Sequence, residues 1–444
     1  MRKYLIVGIL RETKAGEYRA PLEPSDVKWL IKRGIAVEVE SSSERIFSDK
    51  EYKKSGARIV DEFHKANLLL GIKEPTVNDL YENKIYMVFS HTAKGQFKNM
   101  PLLKACIKKR ITLIDYEKMV DLHGKRLVYF GRFAGICGIV DSLHYLGKKL
   151  EWEGIRNPFL SIQPAYKFRS LQAIKRTMAK VDRQIQLWGF GAKLSPFIIG
   201  ITGHGNVSKG VQEILDLLNP VEIHPKDMLV FFRHQKRMWH RIYKIVFFRE
   251  EKFRSKDRKG FYFEEYLNNP KSFESNLDKY LPYLNVLIHG SYWDKRYPRL
   301  VTKEMIHRLT RKNHFRLNFI GDISCDINGS IELTYKTTNH TNPAFTYDFK
   351  NKKFVDGYDT KGITVLAIDN LPTELPKDAS IEFSHAIREY VYAVAAHGAV
   401  DVADHIALPR EIRNAVIIQN GKLTNRFGYL KEYFTYDDLY FLDA

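Results

Sequence analysis

The chain has 444 residues, 44% of them hydrophobic, and a formal net charge of +19. That length accommodates two or three domains with sizeable cores. No apolar run approaches a membrane span. Tyr4–Leu10 is too short for a secretory signal, and Cys106, Cys137 and Cys325 lack the paired spacing of a disulfide framework or zinc site. A reducing cytoplasm and no membrane partner are expected.

Leu5–Leu10 reads as a strand. Ser25–Lys32 reads as a helix, with Ser25 as its N-cap and Val27, Leu30 and Ile31 along one face. Val37–Val39, Leu68–Ile72, Ile85–Phe89 and Thr112–Ile114 read as further strands. Their alternation with amphipathic segments predicts a mostly parallel sheet covered by helices. Ala134–Trp152 carries a helical apolar face and is expected to pass from one domain to the next.

Phe197–Thr202 is apolar, Gly203-His204-Gly205-Asn206-Val207-Ser208 follows, and Val211–Leu215 reads as helix. Strand, glycine turn and helix in that order form a dinucleotide-binding fingerprint. Gly203 permits the tight turn, and Gly205 lets the backbone approach a pyrophosphate at the helix N-terminus. Ser208 stands where a third glycine or alanine is usual. Such turns also serve as ordinary connectors. Three later apolar runs, Val286–Ile288, Phe319–Ile320 and Val365–Ile368, lead to Gly290-Ser291, Asp322 and Asp369. In doubly wound sheets such strand tips wall the ligand site. Ile381–Ala396 reads as a helix that packs back on the N-terminal domain.

The fold expected is α/β, with two Rossmann-like doubly wound domains and an interdomain cleft. One domain takes residues 1–133 with 372–444, a connecting helix and linker take 134–164, and a dinucleotide domain takes 165–371. Within the last, residues 226–284 read as a basic insertion. Between Arg233 and Lys259, 11 Lys or Arg face 3 acidic residues. No nucleic-acid motif accompanies this run, so a solvated insertion is expected rather than a nucleic-acid patch. Positive potential that captures anionic substrates is a third reading.

Two strand tips in the first domain carry titratable groups: Gly71-Ile72-Lys73-Glu74-Pro75 and Phe89-Ser90-His91-Thr92-Ala93-Lys94-Gly95-Gln96. Lys73 and His91 could form a general acid/base pair, with Glu74 beside the lysine. Singly, a strand-end lysine can be solvated and a lone histidine structural. Arg11, Arg19 and Arg132 could hold carboxylates bidentately. Gly131 and Gly135 around Arg132 imply a tight loop.

These motifs, together with Gly8-Ile9-Leu10-Arg11-Glu12, Arg45-Ile46-Phe47, Asp115-Tyr116-Glu117 and Ile368-Asp369-Asn370-Leu371-Pro372, closely resemble one family. It is the lysine–2-oxoglutarate reductase half of the bifunctional aminoadipic semialdehyde synthase. That half is related to lysine-forming saccharopine dehydrogenases and, more distantly, to alanine dehydrogenase and transhydrogenase. The resemblance implies reductive condensation of L-lysine with 2-oxoglutarate to saccharopine. Lys73 and His91 would transfer protons, Glu74 and Glu117 would tune them, and Arg11, Arg19 and Arg132 would hold carboxylates. No metal is implied.

The dinucleotide would lie on Gly203, Gly205, Asn206, Val207 and Ser208, with Asp322 and Asp369 nearby. Glu222 lies 19 residues after Gly203, near where an acid accepts the ribose hydroxyls of NAD. The resemblance and the basic run favour NADP(H), with NAD(H) as the alternative. Residues 226–284 match nothing in the family, and Gly290-Ser291 replaces a Cys-Ile pair common in relatives. The saccharopine-oxidising half of the bifunctional enzyme is not in this sequence, so the chain is expected to act alone or with a separate glutamate-forming saccharopine dehydrogenase. Competing readings are an NAD-dependent lysine-forming saccharopine dehydrogenase, an alanine dehydrogenase-like enzyme, and a non-catalytic basic protein contacting nucleic acid.

Overall fold

A computed structural model describes residues 4–234, 239–257, 260–311, 314–397 and 401–434. The chain divides into two compact units, 1–130 with 376–444 and 131–375. Among the described residues no helix is long and apolar enough to cross a membrane.

In the first unit an eight-stranded sheet runs in the order Lys422–Leu423, Val416–Gln419, Thr112–Asp115, Ile85–Val88, Leu68–Leu70, Val7–Ile9, Val37–Glu40, Arg58–Val60. The six strands from the N-terminal part pair in parallel. Val416–Gln419 joins them antiparallel, next to Thr112–Asp115, and Lys422–Leu423 forms the edge. The chain leaves Val7–Ile9 toward one side of the sheet and returns to Leu68–Leu70 on the other. The carboxyl ends of these two strands therefore form a topological switch point, where doubly wound sheets bind ligands. Leu10-Arg11-Glu12 and Gly71-Ile72-Lys73 leave the sheet there.

The first helix is Pro24–Ile31, and Glu23 rather than Ser25 occupies its N-cap, without a side-chain cap. Pro24 at the first helical position needs no N–H partner, which displaces the start by one residue. The C-terminal helix Pro376–His397 returns to this unit. It buries Phe383, Ile387, Val391 and Val394 against Val27, Leu30 and Val39.

In the second unit the order is Lys353–Asp356, Ala344–Asp348, Ile363–Leu366, Phe319–Asp322, Val286–His289, Phe197–Thr202, Ile242–Phe247, Val221–Glu222. Pairing is parallel except at Ala344–Asp348, which pairs antiparallel with both neighbours. The switch point lies between Phe197–Thr202 and Val286–His289. Two expectations are corrected here. Ile242–Phe247, inside the supposed solvated insertion, is fully buried and pairs along its length with Phe197–Thr202. Its Lys244 is neutralised by Asp216 at 2.8 Å and Glu222 at 3.0 Å. Lys236, Arg237, Arg258 and Lys259 of the basic run lie outside the described residues.

The second correction concerns the helix expected over 134–152. It begins at Gly131, so Arg132 lies in its first turn and not in a loop. A Cβ on Gly135 would stand 2.0 Å from the Val207 carbonyl oxygen, and one on Gly210 would stand 2.0 Å from that of Arg132. The helices Gly131–Trp152 and Asn206–Leu215 thus touch backbone to backbone through two glycines. Gly210, two residues beyond Ser208, supplies the close packing expected of the third motif position.

Candidate active site

At the switch point of the first unit, Glu12 turns inward. Its carboxylate oxygens accept the backbone N–H groups of Ile72 at 2.5 Å and Lys73 at 3.0 Å. Burial pushes its pKa up to about 7 against the pull of those two donors. Lys73 is half-buried, and burial lowers its pKa, with the charge of Arg19 acting in the same sense while Glu17 and Glu74 oppose it. A lysine held so gives up its proton more readily than a solvated one. Arg11, Glu12, Glu40, Lys73 and Glu74 line a cleft of about 310 Å³.

The second strand tip carries His91 in a left-handed backbone conformation, φ 54°. Such a conformation is uncommon outside glycine and asparagine and turns the imidazole between two acids. Its Nε2 lies 4.0 Å from Glu74 Oε2 and its Nδ1 lies 3.7 Å from Glu117 Oε2. These are ion-pair distances, longer than hydrogen bonds. Buried Asp115 ties the two loops together. It accepts the Ser90 hydroxyl at 2.5 Å and the Glu117 N–H at 2.7 Å.

Burial alone would raise the pKa of Glu117. Contacts from His91 and Lys94 and the charge of Arg126 outweigh burial and hold the carboxyl far below its usual range. Lys94 Nζ stands at 2.9 Å, and Arg126 donates to the same carboxylate. Glu74 therefore adjoins Lys73 in sequence and His91 in space.

The arginines are compensated within the protein. Arg19 is buried and donates through Nε and Nη2, each at 2.6 Å, to both oxygens of Glu17. Its guanidinium lies 4.0 Å from the centre of the Phe130 ring. Arg132 donates through Nε and Nη2, each at 2.8 Å, to Glu213, which Lys175 also meets at 2.9 Å. Arg11 is exposed and lies 3.3 Å from Glu40. A substrate carboxylate reaching Arg19 or Arg132 bidentately would have to displace an existing partner.

In the second unit Gly203 has φ +100°, and a Cβ there would stand 2.8 Å from Ser291 Oγ. A Cβ on Gly205 would meet nothing within 4 Å. Open space in front of the N-terminus of Asn206–Leu215, with its unpaired N–H groups, fits a pyrophosphate. Asn206 and Val207 open that helix, while Ser208 is buried and accepts from Gln212 at 3.1 Å. A cleft of about 350 Å³ runs beside the turn, lined by Gly203, Gly205, Arg249, Lys252, Ser291 and Trp293.

The acids expected beside the dinucleotide are placed differently. Glu222 sits on the edge strand, two strands from the glycine turn, exposed and paired with Lys244. The strand flanking the glycine-turn strand ends instead at Phe247, followed by Phe248 and Arg249. Asp322 is buried, with one oxygen accepting Ser324 Oγ at 2.7 Å and the other Thr334 Oγ1 at 2.6 Å. Its role is to hold the strand end. Asp369 is exposed beyond Ile363–Leu366. Sequence reasoning missed Glu12, Glu17, Asp115 and Lys94 as participants, and also Lys252. For Glu12, Asp115 and Lys94 the signal was their place inside the same short motifs; Glu17 and Lys252 lie outside them.

Family models described as "Alanine dehydrogenase/PNT, N-terminal domain" and "Alanine dehydrogenase/PNT, C-terminal domain" match residues 8–137 and 244–426. An L-alanine dehydrogenase superposes with TM-score 0.62 at 17% identity, covering 97% of this chain and 99% of that one. A transhydrogenase from Sinorhizobium meliloti gives 0.55 at 14%, covering 94% and 98%. The chain thus matches both alanine dehydrogenase/PNT domain models and has the α/β fold of these structures. Its particular likeness is to alpha-aminoadipic semialdehyde synthase. It is 35% identical to the Arabidopsis thaliana protein and 33% to the mitochondrial one of Bos taurus, over 96% of this chain. The chain spans about half the length of these relatives, 41% and 48% respectively. A Neurospora crassa saccharopine dehydrogenase [NAD(+), L-lysine-forming] is 26% identical, with 86% of this chain and 88% of that protein covered.

Proposed function

We propose that this chain reductively condenses L-lysine with 2-oxoglutarate, using NADPH, to form saccharopine. The observation that carries the reading is the half-buried Lys73, its pKa lowered by burial, one residue from the Glu74 that adjoins His91. Attack of the lysine ε-amine on the keto carbon needs that amine neutral, so one group must accept its proton. Loss of the carbinolamine hydroxyl as water needs a proton delivered to that oxygen. Two groups held in different electrostatic surroundings can divide these tasks. Lys73 accepts the first proton. His91, set between Glu74 and Glu117, delivers the second.

Glu12 fixes the Lys73 backbone, and Asp115 fixes the loops bearing His91 and Glu117. Arg11, with its exposed guanidinium and a single ion-pair contact to Glu40, is the arginine best placed to meet a substrate carboxylate. Arg19 and Arg132 would serve by exchanging Glu17 or Glu213 for substrate. In the second unit Gly203, Gly205 and the first turn of Asn206–Leu215 would hold the dinucleotide, which supplies hydride to the imine carbon when bound.

We place the enzyme in a reducing cytoplasm, supported by three free cysteines. The mammalian relatives are named mitochondrial, which makes the mitochondrion the alternative. The test is NADPH oxidation measured with lysine and 2-oxoglutarate together and with each omitted. Oxidation that persists without lysine, or that requires pyruvate and ammonia instead, would overturn the reading.

A further inference from the structure

The strand Ile242–Phe247 lies beside the glycine-turn strand, so its carboxyl end is where the adenosine ribose of a bound dinucleotide falls in this topology. The residues leaving that end are Phe248-Arg249-Glu250-Glu251-Lys252. An acid that would accept ribose hydroxyls, and repel a phosphate, is missing from the first two positions. Glu251 is occupied, its Oε2 accepting the Phe248 N–H at 2.9 Å, and Glu250 is exposed.

Two cations of this basic run are neutralised internally. Lys244 meets Asp216 and Glu222, and Arg254 meets Glu274 and Asp278. Arg249 and Lys252 differ. Among the described residues neither has a carboxylate within ion-pair distance. Arg249 lies over the rings of Phe263 at 4.7 Å and Tyr266 at 5.9 Å, which orient the guanidinium and leave its edge free to donate.

Lys252 is only 7% exposed, and its ammonium donates to Ser291 Oγ at 2.9 Å. That hydroxyl abuts Gly203, so the buried cation stands one hydroxyl behind the glycine turn. Burial drives its pKa down to about 8, with Arg249 acting in the same sense. The charge of Glu250 opposes this from beyond ion-pair distance; an ammonium buried without an ion-pair partner is costly, and an incoming anion reduces that cost. Both residues line the cleft beside the turn, whose acid, Asp294, is held bidentately by Arg296.

We propose that Arg249 and Lys252 form a phosphomonoester subsite that selects a dinucleotide bearing a ribose 2′-phosphate over one without it. Arg249 contacts the phosphate, and Lys252 backs it with charge. This rests on the reading that the second unit binds a nicotinamide dinucleotide. The test measures dissociation constants of the full chain for NADPH, NADH, 2′,5′-ADP and 5′-ADP by quenching of tryptophan fluorescence. Arg249→Gln and Lys252→Gln are compared with wild type, and thermal melting monitors folding.

Wild type is expected to bind NADPH and 2′,5′-ADP more tightly than their counterparts. Arg249→Gln, at a half-buried position, should fold normally. It should lose about 10- to 100-fold in affinity for both 2′-phosphorylated probes, the range of a charged hydrogen bond, and keep its affinity for NADH. Equal loss for both dinucleotides would assign Arg249 to the pyrophosphate and overturn the proposal. So would a wild type that prefers NADH. A wild type that binds neither dinucleotide would instead sink the functional reading beneath it.

Discussion

Replacing Glu12 with glutamine tests whether one inward-facing carboxylate sets the position of Lys73. Its pKa stands at about 7 against an ordinary 4.5, and burial is the main cause. A raised acid pKa means that the folded state binds the proton more tightly than the unfolded chain. The associated stability is fully present below about pH 4.5 and is lost as pH rises through about 7. At 1.36 kcal/mol per unit the difference amounts to about 3 kcal/mol, an upper value because the carboxylate borders a wet cleft.

Glutamine does not titrate, and like a protonated carboxyl it offers one carbonyl oxygen to the two backbone donors. Near pH 5 the variant and wild type should melt at similar temperatures. Above about pH 8 the variant should melt higher, by roughly 5–10 °C if this unit melts as one. Thermal melts across that range, followed by circular dichroism, measure the gap. Turnover should fall above about pH 7, where the wild-type carboxylate is charged and the variant takes that acceptor from one of the N–H groups of Ile72 and Lys73. A gap that stays constant or narrows as pH rises would show that Glu12 ionises in the fold without cost, and the account of this site would fail.

Lys73→Met and His91→Gln should each lower kcat by about 10²- to 10⁴-fold, the usual worth of a positioned acid or base, and leave dinucleotide affinity unchanged. Normal turnover in either variant removes that residue from proton transfer. Glu117→Gln should remove an acid-labile component of stability. The pKa of Glu117 is depressed, so its contribution is present above the ordinary carboxylate range and lost as pH falls; a wild type no more acid-sensitive than the variant would refute this. Gly210→Ala should destabilise the second unit by about 3 kcal/mol, because a Cβ there meets a backbone oxygen at 2.0 Å. Gly205→Ala should melt as wild type and bind NADPH more weakly, and urea titration with cofactor fluorescence separates the two cases.

The sequence by itself determined the α/β class, both switch-point motifs and the strand–glycine turn–helix unit. These depend on short-range periodicity and on residues adjacent in the chain. Lys73, Glu74 and His91 were legible for the same reason, since each stands at the end of an apolar run. Tertiary structure alone decided which charges are already spent. Arg19 lies against Glu17, and Arg132 against Glu213, 81 positions along the chain. It also decided that a buried strand runs through the most basic segment, because Lys244 finds acids on neighbouring elements. Strand order set the end of Ile242–Phe247, and not Glu222, beside the glycine-turn strand, and contact between two helix backbones moved the packing glycine from position 208 to 210. Charge compensation and close approach are properties of distances in space, and a linear chain does not carry those distances.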